Sequence, residues 1–91
     1  MKACKGYRAK IESTEDGRSV YVVSKDNDPV AIFYHDAETQ RASWEWLNEG
    51  KRRRVRGRYS AELGFYRAAH AMRDDKRGSR FDLWFFRFFY R

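Results

Sequence analysis

Between Lys51 and Tyr59 the chain reads KRRRVRGRY, six cationic side chains in eight positions followed by a phenol. Each Lys or Arg laid on a phosphate displaces condensed counterions, so such a run can anchor a salt-sensitive complex with a polyanion. Arginine outnumbers lysine five to one here. Its planar fork grips phosphate or carboxylate through two hydrogen bonds, where an ammonium offers a point charge. Gly57 removes side-chain bulk from the run, and the Tyr59 ring is one on which a base or sugar can stack. Lys51, Arg52, Arg53, Arg54, Arg56, Arg58 and Tyr59 are therefore the candidate binding residues, with Arg73, Lys76, Arg77 and Arg80 as candidates to extend them. The competing structural account lays the arginine stems over the first of two expected helices, residues 36–50, and leaves their heads in water. Lys51–Arg54 also reads as a nuclear import tetrad, a pattern common by chance.

No other cluster offers comparable chemistry. One cysteine (Cys4) and two histidines cannot supply a tetrahedral zinc set, and the six glycines are scattered singly, without a phosphate loop or dinucleotide fingerprint. Asp26, Asp28 and Asp36 could meet across a meander and hold magnesium. Asp and Asn ahead of Pro29 are equally what a tight turn requires, and Asp36 suits a helix N-cap. His35 reads as a strand end more readily than as a general base. The expectation is a protein that is not an enzyme and needs no metal or cofactor.

The charge is unevenly placed. Residues 1–49 hold seven Lys/Arg and nine Asp/Glu, net −2, and residues 50–91 hold thirteen against four, net +9, which together make +7. The excess is local, so it should form a patch. Ninety-one residues suit one domain, and 18% aromatic content lets a short chain gain buried area through large rings. MKACKGYRAK lacks the apolar run of a secretion signal. FDLWFFRFFYR is too short to span a bilayer and is interrupted by Arg87. With a lone cysteine, these features lead to the expectation of a cytoplasmic protein with no membrane partner.

The elements that must position the basic run follow from periodicity. GYRAKIES alternates, with Tyr7, Ala9 and Ile11 on one face; Asp16-Gly17 marks a tight hairpin, and SVYVVS and VAIFYH complete a three-stranded meander. Asp36 as N-cap, Glu38 in the first turn and Gly50 as terminator predict a helix with Ala37, Trp44 and Leu47 inward and Trp46 at the rim. Ser60 predicts the N-cap of a second helix that ends at Gly78, with Phe65, Ala68, Ala69 and Met72 on its buried arc. Phe81–Tyr90, rich in aromatics, predicts a closing strand. The whole reads as a single α+β domain over residues 1–91: an antiparallel sheet in β-β-β-α-α-β order, two helices on one face, and residues 51–59 as an arginine-rich connector between the helices.

Two functional expectations follow. The first is a non-enzymatic binding protein whose connector engages nucleic acid with weak sequence selectivity, or an acidic surface of a nucleic-acid-handling complex. The alternative comes from layout. In size, order of elements and lack of a catalytic motif, the chain resembles the compact α+β inhibitors that phages direct against CRISPR or restriction systems. That resemblance implies a protein that blocks a host defence protein by binding it. Either a monomer or a homodimer, joined through the aromatic C-terminal strand, is compatible with the sequence.

Overall fold

In the computed structural model, which describes residues 1–4 and 6–75, five antiparallel strands follow in chain order and a single helix closes them. Strands β1 (Tyr7–Glu15), β2 (Arg18–Lys25), β3 (Asp28–Asp36), β4 (Arg41–Trp46) and β5 (Arg53–Val55) form one sheet, each paired with its neighbours in the sequence, and α1 spans Ala61–Asp74. The first two hairpins close as their turn residues predict. Asp16 and Gly17 have φ of 52° and 78°, and Asp26 and Asn27 have φ of 51° and 72°. Positive φ at both central positions matches the twist of a two-residue hairpin, and Gly, Asn and Asp tolerate it best.

The helix expected from Asp36 to Gly50 does not form; the segment is a third hairpin leading into β4. Asp36 Oδ1 accepts from the Glu38 N–H at 2.9 Å, and the Asp36 carbonyl accepts from the Gln40 N–H at 2.7 Å. An Asp side chain that accepts from the amide two residues on serves a turn as well as a helix cap, so the cap signal is ambiguous. After Gln40, with φ of 59°, the chain alternates: Ala42, Trp44 and Trp46 are buried while Arg41 is exposed and Ser43 and Glu45 are half-buried. A strand puts both tryptophans on the core side, edge to face with centroids 5.2 Å apart, where a helix would bury only one. It also satisfies the free edge of β3. Leu47, expected inward, is instead 49% exposed, and Trp46, expected at the rim, is buried.

The two-helix arrangement in β-β-β-α-α-β order is therefore corrected to a sheet-dominated domain, β-β-β-β-β-α over the described residues. Residues 51–59 are not a connector between helices; they contain the short edge strand β5 and its flanking turns. The expected Phe81–Tyr90 strand lies outside the described residues.

The remaining helix starts where Ser60 predicts, with the Leu63 N–H donating to Ser60 Oγ at 3.4 Å. Phe65, Ala68, Ala69 and Met72 are buried on its inner arc, as their spacing predicts. Gly64 permits the close approach of α1 to the sheet, since a Cβ there would lie 3.4 Å from both Ala42 Cβ and Phe33 Cζ. Phe33 is the centre of the core, with ring centroids 5.7 Å from Tyr21 and 5.6 Å from Phe65. Ile11, expected inward, is 52% exposed, next to a register shift between Ile11 and Ser13 that bends the strand. The helix stops at Asp74, short of Gly78, because the non-helical Asp75 is anchored to the sheet.

The corrected hairpin has a test whose sign separates strand from helix. Gln40→Gly should stabilise the protein by up to about 1 kcal/mol, because glycine adopts positive φ without steric cost. In a helix spanning residues 36–49 the same change would cost about 1 kcal/mol. Chemical denaturation of the two proteins measures the difference.

Candidate functional site

Strand β5 divides the basic run into two halves with different surroundings. In the register of β4 and β5, Trp44 pairs with Arg53, Ser43 with Arg54 and Ala42 with Val55. Arg53 and Val55 therefore face α1, and Arg54 faces away from it.

In the first half, Arg52 and Arg53 are matched by acid. Arg53, half-buried, donates through Nη2 to Glu49 Oε1 at 2.8 Å and through Nη1 to Asp75 Oδ2. Trp46 Nε1 donates to that same Asp75 oxygen at 2.9 Å. The Arg53 guanidinium also lies 5.1 Å from the Trp44 ring centroid. Arg53 is thus a structural tie between β5, the β4–β5 turn and the end of α1. Arg52 projects from the other face, its guanidinium carbon 3.6 Å from the Tyr34 ring centroid and Nη2 4.0 Å from Glu45 Oε1. Tyr34 in turn donates its hydroxyl to Glu45. Burial raises the Tyr34 phenol above its ordinary 10.0, the Glu45 carboxylate adds to this, and the neighbouring Arg52 opposes it. Lys51 is exposed and has no ion pair among the described residues.

The second half is open. Arg54, Arg56 and Arg58 are exposed and make no ion pair among the described residues. Arg41, which the sequence reasoning passed over, is the exposed first residue of β4, and at its end of the strand Ala42 pairs with Val55. Its signal was the odd cation at the start of an alternating strand, which a helical reading hides. Tyr59 is more a packing residue than a free stacking platform. Its N–H donates to the Gln40 carbonyl at 2.9 Å, and its carbonyl accepts from His35 Nε2 at 2.8 Å. Its ring lies over Gly57, where a Cβ would come within 3.0 Å, and Arg67 lies 5.4 Å from the ring centroid. Gly57, with φ of 92°, thus lets the chain fold back under the tyrosine.

The proposed extension separates from this group. Arg73 sits in the last turn of α1 beside Asp74, at 3.2 Å, and the helix places it about 20 Å from the Ser60 end. Lys76, Arg77 and Arg80 lie outside the described residues. The carboxylates considered for magnesium are kept apart, because Asp28 and Asp36 stand at opposite ends of β3, about 26 Å along an extended strand. Among the described residues no group of three or more His, Cys, Asp or Glu side chains could hold a metal ion. No helix among them is long and apolar enough to cross a membrane. Compared with known proteins, the chain matches no protein-family model, no curated protein and no solved structure.

The division of the run predicts unequal mutational costs. Arg53→Met should destabilise the protein by about 1–3 kcal/mol, since it removes the guanidinium that donates to two half-buried carboxylates, Glu49 and Asp75. Arg54→Met, one position along, should change stability by no more than about 0.5 kcal/mol. Urea titration of both variants is the check. For Tyr34, a folded-state pKa above the unfolded 10.0 means a contribution present at neutral pH and lost as pH rises through the folded value. Tyr34→Phe should therefore reduce the loss of stability seen above about pH 10 in thermal melts of the parent protein.

Proposed function

We propose that this domain is a non-enzymatic binding protein that works inside the cell and holds the phosphate backbone of a nucleic acid with weak sequence selectivity. One observation carries the proposal. Arg54, Arg56 and Arg58 are exposed and form no ion pair among the described residues, and Arg41, cross-strand from Asp36, begins β4 at the same end of the sheet. Unpaired guanidinium groups lose no intramolecular partner on binding, so counterion release goes into affinity without that cost. The four arginines come from two adjacent strands and a turn, and no helix presents base-reading side chains among them. Contacts of this kind fix position on a polyanion and carry little base information.

A fluorescent oligonucleotide titrated across a salt series tests this. Replacing Arg54, Arg56 and Arg58 with Ala should flatten the slope of log K against log salt by about two to three units. Arg73→Ala, at the far end of α1, should leave it unchanged. An unchanged slope in the triple variant, or a thousandfold preference for one duplex sequence, would overturn the assignment.

A further inference from the structure

The sheet has two faces, and α1 lies on one of them. Residues that alternate with the core positions form the other, which no described element covers. Its rows follow from the register. Lys10 pairs with Val22, Val22 with Ile32 and Ile32 with Glu45. In the next row Ser13 pairs with Val20, Val20 with Tyr34, Tyr34 with Ser43 and Ser43 with Arg54. The middle of this face is thus the apolar strip Val20, Val22, Ile32 and Tyr34, all half-buried between their neighbours. One margin carries the exposed Arg8 and Lys10 of β1; the other carries Arg54 and, folded over Tyr34, Arg52, whose charge is partly matched by Glu45 on the same face.

We infer that this face docks an amphipathic helix of a partner protein, with apolar side chains on the Val20–Tyr34 strip and acidic flanks against the two cationic margins. The dimensions agree. From β1 to β5 is four strand spacings, about 19 Å, and a helix with its side chains is about 10–12 Å across, so Glu side chains from its flanks reach both margins. An aliphatic strip suits the i, i+3, i+4, i+7 stripe of a helix. It does not suit nucleic acid, because Val20, Val22 and Ile32 offer no ring for a base and Arg52 already covers Tyr34. A second copy would bring cationic margins against cationic margins. Residues 76–91 hold five Lys/Arg against one Asp, net +4, so their charge also opposes the margins. The inference does not rest on the nucleic-acid proposal: the two share Arg54, but the apolar strip and the Arg8 and Lys10 margin belong to this face alone.

The probes are two helical peptides of about 18 residues with the same leucine stripe, one flanked by Glu and one by Lys, followed by fluorescence anisotropy on the full chain. The Glu peptide should bind at least about tenfold tighter than the Lys peptide. Val22→Thr with Val20→Thr, which keep the β-branched shape, should weaken it about tenfold while leaving oligonucleotide binding unchanged. Lys10→Glu with Arg8→Glu should reduce the preference for the Glu peptide. Equal binding of the two peptides would overturn the inference. So would loss of peptide binding in the Arg56→Ala, Arg58→Ala protein but not in the threonine variant, since the peptide would then be reading the basic turn alone. Sedimentation showing a dimer that the threonine variant splits would assign the face to a second copy and also overturn it.

Discussion

Arg53 donates to Glu49 and Asp75, and Trp46 donates to the same Asp75 oxygen. These three bonds join the β4–β5 turn, the edge strand and the end of the helix at one point. A half-buried guanidinium must be paired on the spot, because leaving it unmatched costs several times what the pairing contributes over water. β5 has only three residues and a ladder to β4 alone among the described strands. The side-chain tie therefore holds this edge where a longer strand would rely on its backbone. Asp75 also ends the helix, so the same contacts set the length of α1 and its placement across β3, β4 and β5.

Once Arg53 turns inward, alternation along the strand sends Arg52 and Arg54 to the opposite face. Acid then sorts the run further. Glu45, Glu49 and Asp75 gather around Arg52 and Arg53, whereas among the described residues Arg54, Arg56 and Arg58 form no ion pair. A stretch that is uniformly basic in one dimension thus becomes a structural tie, a cap over Tyr34 and an open cationic corner. Arg41 joins that corner only because β4 is a strand that begins beside the end of β5.

Much of the frame was legible in the residues. Asp16-Gly17 and Asp26-Asn27 demand positive φ in tight loops, the alternation through Tyr7 and Ala9 marks a half-buried strand, and Ser60 ahead of Phe65, Ala68, Ala69 and Met72 sets a capped helix with a narrow inner arc. These signals are local: each depends on backbone sterics or on side chains within one turn. The density of cations at 51–58 was equally plain, and it marks the region from which the binding proposal comes.

Tertiary structure decided the rest, because the decisive partners are distant in sequence. Residues 41–49 carry both a helix-compatible composition and a strand-compatible alternation, and Asp36 accepts the same amide bond in a turn as in a cap. The open edge of β3, which a strand at Arg41–Trp46 completes while burying Trp44 and Trp46 together, settles the choice. No local pattern assigns Arg53 to the core side, since its partner Asp75 lies 22 residues away. The uncovered face is likewise a product of pairing. Lys10, Val22, Ile32 and Glu45 become neighbours, as do Val20, Tyr34, Ser43 and Arg54, only when five strands line up in register, and their order across the sheet is invisible along the chain.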